Sequence, residues 1–165
     1  MLTRTTTLAL LFALAAWGCS KNDGADGASG AVARGSEVAM PTVDEAVRVW
    51  TQPELSLELV AAKLKGVVMS ETTSQATMEY EGYQVLLKLS GRMVTRIEFL
   101  FDDTKPSVLQ LVELYGKPQE VRKGMLFERV LQERFRVRML AVPVSMPAED
   151  GTLVKSLLIE GGPLR

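Results

Sequence analysis

The sequence predicts an α+β domain, with an antiparallel sheet and helices packed on one of its faces, behind a signal peptide and a disordered tether. Three observations support this prediction. An apolar run near the amino terminus ends at the only cysteine, a Gly- and Ala-rich stretch follows, and the remainder combines helical periodicity with alternation of period two. The predicted boundaries are a signal peptide at 1–18, a cysteine-led linker at 19–37 and a single domain at 38–165.

The amino-terminal segment has the plan of a secretory signal. Arg4 precedes the apolar run 8–16, and small residues follow that run. The run is much shorter than the roughly 20 residues that a helix needs to cross the hydrocarbon core of a bilayer. We therefore expect this segment to be cleaved and not to remain as a membrane span.

Residues Ala16-Trp17-Gly18-Cys19 resemble the lipobox of bacterial lipoproteins, although Ala16 stands where Leu is usual and Trp17 where a small residue is usual. The resemblance implies that the Cys19 thiol receives a diacylglycerol, that the chain is cut before Cys19, and that the new amino end is acylated. Ser20, in place of an Asp, then favours the outer membrane, facing the periplasm, over the inner membrane. The alternative is an ordinary signal peptide that leaves Cys19 unmodified.

The linker and the domain have different compositions. Residues 20–37 contain one large apolar residue, Val32, so they cannot bury enough surface to offset the entropy of ordering. The region 38–165 has the length of one ordinary domain. It contains no histidine and no cysteine. Internal disulfides, Cys or His metal sites and Ser-His or Cys-His nucleophile pairs are therefore excluded, and we expect no cofactor.

Three helices are predicted from capping patterns and helical periodicity. The second should turn Leu55, Leu59 and Ala62 toward the core. The third should be capped by the segment 102–104, because the paired carboxylates there favour the positive end of a helix. The first helix is predicted to run from Thr42 to the residue before Pro53. The second is predicted from Thr51 to Gly66, and the third from Pro106 to Gly116.

Six strands are predicted from alternating apolar and polar residues and from Gly-containing turns, at 76–81, 83–89, 95–101, 125–130, 133–144 and 152–160. The alternation is typical of an antiparallel sheet with one face toward water. Helical segments ending at 59–66 and 111–116 each precede three of these strands. The order predicts a duplicated helix-plus-three-strand unit.

The helix end Leu114-Tyr115-Gly116-Lys117-Pro118, followed by a hairpin, resembles outer-membrane assembly lipoproteins of the SmpA/OmlA type. The order of elements is also similar to the tandem repeats of β-lactamase inhibitory proteins. These resemblances imply helices over an antiparallel sheet, and binding to protein partners instead of catalysis. They cover about a dozen residues, so no functional residue is carried over from either family.

Arg134, Arg136 and Arg138 are the candidate binding residues. They alternate with apolar residues, which places them on the outer face of one predicted strand. Guanidinium groups in such a row suit a phosphate, an acidic glycan or a protein carboxylate. The alternative is a solvated face that nearby glutamates balance. Nucleic acid is not an expected partner, because the net charge of the whole chain is −1.

The function predicted from these observations is that of a membrane-anchored envelope lipoprotein, whose domain is a non-enzymatic module for protein binding or assembly. Its partners would be the membrane, through the lipid anchor, and another envelope protein. The alternative is a periplasmic hydrolase that uses only carboxylates and acts on cell wall or glycan. Asp102 and Asp103 are candidates for acid-base chemistry, although adjacent residues on an extended chain point to opposite sides.

Overall fold

The computed structural model describes residues 35–164. In this part of the chain, three α-helices and one 3-10 turn accompany eight β-strands. The helices are α1 (Met40–Arg48), α2 (Leu57–Leu64) and α3 (Val108–Tyr115), and the 3-10 turn is Val49–Thr51. The strands are β1 (Val68–Glu71), β2 (Gln75–Tyr80), β3 (Tyr83–Ser90), β4 (Met93–Phe101), β5 (Gln119–Val121), β6 (Gly124–Leu131), β7 (Phe135–Pro143) and β8 (Val154–Pro163).

The eight strands form one antiparallel sheet in the order β1-β2-β3-β4-β8-β7-β6-β5. The α+β class with an antiparallel sheet is therefore confirmed. Six of the strands match predicted segments. The other two, β1 and β5, are the short strands at the two edges of the sheet, and with only 4 and 3 residues they carry too little alternation to be recognised.

The sheet has an inner face that contributes to the hydrophobic core. Directly paired residues of antiparallel strands point to the same side, so buried residues line up in rows across the sheet. One row runs through six strands and is at most 1% exposed: Ala76, Leu87, Ile97, Ile159, Met139 and Phe127. The opposite side, called the outer face below, carries residues that are half-buried or exposed.

Helix α1 begins earlier than the capping pattern predicted. Its first residue is Met40, and no side chain caps it. Pro41 occupies the first turn, where its missing N–H costs no hydrogen bond, and the helix therefore includes Thr42 instead of starting there. The Thr42 hydroxyl instead lies 2.9 Å from the hydroxyl of Tyr83 in β3.

Helix α2 begins later than predicted, because Ser56 and not Thr51 caps it. The Ser56 hydroxyl accepts a hydrogen bond from the Leu59 N–H at 3.2 Å. The later start changes the phase of the helix, so two of the three predicted inward residues are wrong: Leu59 is only half-buried and Ala62 is exposed. Leu55, which lies just before the helix, is buried as predicted. The residues that α2 buries are Leu57, Val60 and Leu64. At its end, the Leu64 carbonyl accepts a hydrogen bond from the Tyr80 hydroxyl at 3.0 Å.

Helix α3 begins at Val108 with Ser107 as its cap, so the predicted cap at 102–104 is wrong. The Ser107 hydroxyl accepts from the Gln110 N–H at 3.3 Å, and the Gln110 side chain accepts from the Ser107 N–H at 2.8 Å. This reciprocal pair satisfies two amides at the helix start and leaves no role there for residues upstream. The backbone N–H groups of 102–104 converge on the Gly82 carbonyl at 3.0 to 3.4 Å. The predicted end at Gly116 is confirmed.

The first described residues join the domain beside the start of α3. The Ser36 N–H donates to the Lys105 carbonyl at 2.9 Å, and the Gln110 side chain donates to the Gly35 carbonyl at 3.1 Å. A side chain at Gly35 would place its Cβ 2.2 Å from the backbone nitrogen of Ser107. This close approach requires glycine at position 35.

The two halves of the sheet meet where β4 pairs with β8. Four residue pairs join these strands directly, between 97–100 and 156–159. Beyond them, the segment before α2 bonds to the start of β4, where Val94 donates to Leu55 at 2.7 Å. The segment before α3 bonds in the same way to the start of β8, where Val154 donates to Pro106 at 2.8 Å. We call these two segments, 55–57 and 106–108, the cap segments.

Candidate functional site

The candidate arginines occupy two different settings. Arg136 and Arg138 lie in β7 and share the outer face, as their alternation predicted. Arg134 lies in the turn before β7 and is not part of the strand. Its carbonyl accepts a hydrogen bond from the Leu164 N–H at 2.7 Å. The structure thus brings Arg136 and Arg138 together on one strand and leaves Arg134 outside it.

Charged side chains form a row across the outer face of four strands, which we call the charged row: Arg96, Glu160, Arg138 and Glu128. Arg138 contacts Glu128 at 2.7 Å, and Arg96 contacts Glu160 at 2.5 Å. The four side chains are 41% to 55% exposed, so each pair contributes only about 0–1 kcal/mol to stability. The pairs nevertheless fix where these charges lie.

A hollow of about 360 Å³ adjoins the charged row, at the start of β7 and the end of β8. Its lining includes Arg136, Arg138, Gly162 and Leu164. Arg136 is paired directly with Gly162, and no heavy atom lies within 4 Å of the position that a Cβ of Gly162 would take. Arg136 forms no ion pair with any residue in 35–164. The hollow therefore combines open space with one cation that the described residues do not neutralise.

An apolar row lies beside the charged row on the outer face. It consists of Leu126, Leu140, Leu158 and Leu86, with Glu98 between the last two, and we call it the leucine row. All of these residues are half-buried. Sequence reasoning missed the row, because its members come from four strands and become neighbours only through the strand order. Their shared face follows from the register of the pairing.

A second group of polar side chains lies at the inner face of the sheet. The Arg129 guanidinium is 5.9 Å from the ring centre of Tyr115. Burial, and the carboxylate of Asp44 to a smaller extent, raise the pKa of Tyr115 above its ordinary value. The buried Tyr115 hydroxyl and the Trp50 indole N–H have no hydrogen-bond partner among the described residues. These groups occupy the core and its border, which indicates a packing role.

Tyr80 and Tyr83 stack with ring centres 4.7 Å apart. Burial and the neighbouring Tyr83 raise the pKa of Tyr80 to about 12. Burial also raises the pKa of Tyr83, which a hydrogen bond with Thr42 partly opposes. Both phenols are therefore neutral at physiological pH and act as packed aromatic groups.

The other candidate residues, for catalysis and for membrane attachment, lie in a turn outside the strands or outside the described residues. Asp102 and Asp103 are exposed in the turn after β4. Within 35–164, no group of three or more Asp, Glu, His or Cys residues is arranged to hold a metal ion. No helix of this region is long and apolar enough to cross a membrane. The predicted lipid-attachment residue, Cys19, lies outside the described residues.

In comparisons with known proteins, the chain matches no family model, and no curated protein or solved structure shows significant similarity to it. The candidate site is therefore interpreted from its own geometry. That site is the outer face of the sheet, where the charged row lies between the leucine row and the hollow.

Proposed function

We propose that this chain is a membrane-anchored envelope lipoprotein, facing the periplasm from the outer membrane, whose domain binds another envelope protein and has no catalytic activity. The proposal for the anchor rests on the lipobox-like residues that end at Cys19. Acylation by more than one chain would make the attachment durable, because each buried methylene contributes about 0.8 kcal/mol. Residues 20–34 would then act as a tether, because residues 35 and 36 already bond to the domain.

The proposed architecture has all three helices on the inner face of the sheet. Three contacts support it, since α1 contacts Tyr83, α2 contacts Tyr80, and Tyr115 of α3 lies next to Arg129. Tyr80 and Tyr83 are paired with each other, and Arg129 is paired with the buried Val137, so all three sheet residues point to the inner face. This arrangement would leave the outer face free for a partner.

We further propose that the domain is a duplication of one helix-and-strand unit. Ser56 and Ser107 each cap an eight-residue helix, and links of equal length, 65–67 and 116–118, lead to the next strand. Each cap residue also forms an isolated bridge near the start of the last strand of its unit. Four strands follow each helix, one more than the sequence predicted, because each unit begins with a short edge strand.

The pairing at the centre of the sheet supports the same interpretation. When the two bridges formed by the cap residues Ser56 and Ser107 are aligned, Ile97 in the first unit corresponds to Leu157 in the second, and Phe99 corresponds to Ile159. The observed pairs are Ile97 with Ile159 and Phe99 with Leu157. Exchanging the units turns one pair into the other, as a two-fold axis between β4 and β8 requires.

The leucine row is the observation that carries the proposal of protein binding. A sheet face that meets only water usually alternates to polar residues, whereas this face places four leucines beside a row of charges. Apolar residues at the centre and charged residues at the border are the composition of a protein interface. The face is also broad, because these residues come from β3, β8, β7 and β6.

Photo-crosslinking in cells that make the protein tests this proposal. A photoreactive residue replacing Leu140, in the leucine row, should give an adduct of one discrete mass with another envelope protein. The matched control replaces Leu114 of α3, a leucine that is 50% exposed on another element. We expect no such adduct from the control position, because it lies on a helix and not on the proposed surface.

Three results would overturn the proposal. The first is the absence of a protein adduct at Leu140. The second is an adduct only with a lipid or with a second copy of the chain. The third is hydrolysis of a purified cell-wall fraction together with no reproducible partner, which would support the alternative of a carboxylate-based hydrolase.

A further inference from the structure

We propose that the hollow over Gly162 binds a carboxylate group of the protein partner, with Arg136 as the principal cation. This inference rests on the proposed function, because it assigns a chemical role to one end of the same outer face. It identifies the partner as a protein that presents an acidic side chain beside apolar residues.

The charges around the hollow support this inference. Arg138 contacts Glu128, and Glu160, the acidic residue of the lining, contacts Arg96. Arg136 is left without a carboxylate from any residue that the structure describes. A guanidinium group offers two parallel N–H donors that match the two oxygens of a carboxylate. The hollow can therefore accept one further negative charge from outside the domain.

The open space in the hollow also supports it. In the row of paired residues Val130, Arg136 and Gly162, the last position has no side chain and no atom near the place that one would fill. The resulting hollow of about 360 Å³ has ample room for a carboxylate and the methylene groups that carry it. An external group can thus reach Arg136 without displacing any part of the sheet.

The lining of the hollow favours a carboxylate over a phosphate. Glu160 belongs to the lining, and its negative charge would repel a dianionic phosphate more strongly than a singly charged carboxylate. Pro163 and Leu164 also line the hollow and give it an apolar side. An acidic residue flanked by an apolar one fits both the cation of Arg136 and the apolar side of the hollow.

Fluorescence anisotropy with the full chain, purified from membranes in a zwitterionic detergent, provides the test. The probe is a fluorescein-labelled peptide of alternating Leu and Asp. A matched peptide of alternating Leu and Asn has the same shape without the charges. Inorganic phosphate is added as a competitor in a third arm, to distinguish a phosphate site from a carboxylate site.

Two substitutions address the hollow directly. Arg136→Gln removes the cation, and Gly162→Val fills the space without a clash, because nothing lies near that position. Each should weaken binding of the Asp peptide by about tenfold, as expected for loss of a charged hydrogen bond. Arg134→Gln is the matched control and should change the affinity by less than about twofold, since Arg134 does not line the hollow.

The inference is overturned if the Asp peptide does not bind, if the Asn peptide binds equally well, or if Arg134→Gln weakens binding as much as Arg136→Gln. It is also overturned if phosphate competes at concentrations below those of the peptide. A protein adduct at Leu140 with no effect of Arg136→Gln on the peptide would reject this inference and keep the proposed function. Peptide binding that Arg136→Gln weakens, without such an adduct, would keep the carboxylate site in the hollow and reject both the proposed function and the assignment of the site to a protein partner.

Discussion

At the scale of single residues, the contact between Trp50 and Gly161 shows how a side chain can determine its neighbour. A Cβ at Gly161 would lie 2.6 Å from Cγ and Cδ2 of the Trp50 ring, whereas a Cβ at Gly162 would meet nothing within 4 Å. The two glycines are adjacent and point to opposite faces of β8. Their substitution by alanine should therefore have opposite consequences.

We expect Gly161→Ala to lower the free energy of unfolding by about 1–3 kcal/mol, the usual cost of overpacking a core. Gly162→Ala should change it by less than about 0.5 kcal/mol, as at an ordinary surface site. Urea unfolding followed by tryptophan fluorescence measures both values. Equal effects of the two substitutions would show that Trp50 does not pack against Gly161 as described.

The buried phenols give a prediction for alkaline pH. The pKa of Tyr80 is raised from 10.0 to about 12, and the pKa values of Tyr83 and Tyr115 are raised as well. Between pH 10 and pH 12 the unfolded chain loses phenolic protons that the folded protein keeps, so the free energy of unfolding falls as the pH rises. The stability that the folded protein gains from keeping these phenols neutral is complete below pH 10 and is lost as the pH approaches 12.

We therefore expect the free energy of unfolding to fall between pH 10 and pH 12. Tyr80→Phe should reduce this fall, because one of the titrating groups is removed. Urea unfolding at a series of pH values, with the phenolate absorbance recorded in parallel, checks the result. A stability that rises over this interval would contradict the assignment.

The candidate arginines illustrate what the sequence predicts at this scale. Alternation along the strand placed Arg136 and Arg138 on one face, because side chains in a strand repeat with a period of two. The same alternation could not locate Arg134, since Gln132 and Glu133 adopt positive φ values of 51° and 56° and the turn ends the strand pattern. The hollow beside Arg136 was not predictable, because Gly162 reaches it only through the pairing of β7 with β8.

At the scale of elements, helix ends were easier to predict than helix starts. A glycine at the end of a helical pattern has few competitors, and the two ends predicted from glycine lie within two residues of the observed ones. The end predicted from Pro53 is less accurate, because α1 ends at Arg48 and a 3-10 turn follows it. The starts of α2 and α3 were ambiguous, because more than one Ser, Thr or Asp precedes each of these helices and any of them can cap it. Tertiary contacts decide between them, as the bridge from Ser107 to Leu153 does for α3.

Removing the α3 cap tests this assignment. We expect Ser107→Ala to lower the free energy of unfolding by about 0.5–2 kcal/mol, the range for loss of a helix cap. Asp103→Ala, at the segment where the sequence predicted the cap, should have an effect below about 0.5 kcal/mol. Urea unfolding of both variants provides the comparison. A larger effect at Asp103 would return the cap to the segment 102–104.

At the scale of the whole molecule, the sequence predicted the class of fold and six of the eight strands, but not the order of strands in the sheet. Alternation indicates which residues share a face within one strand, and it carries no information on which strands are neighbours. The central pair β4 and β8 joins segments far apart in the chain. The leucine row depends on that pair, which explains why this part of the candidate site was missed.

The proposed anchor is tested on the whole molecule. We expect the mature protein to sediment with membranes after a high-salt wash, and Cys19→Ser to release it, because the acyl chains would be lost. Mass spectrometry of the mature polypeptide should show an acylated amino end at Cys19. A free amino end in the unsubstituted protein would reject the anchor, although the fold of 35–164 would be unaffected.

The cap segments have a consequence for how the two halves stay aligned. Sliding β4 along β8 by two residues would keep every side chain on its own face, so the hydrophobic pattern alone does not oppose such a slip. Segment 55–57 bonds to the start of β4, so it occupies the position that β8 would enter if it slid in one direction. Segment 106–108 bonds to the start of β8 and blocks β4 from sliding in the other direction. The short ladder between the halves is thus held in a single register by stops at both of its ends.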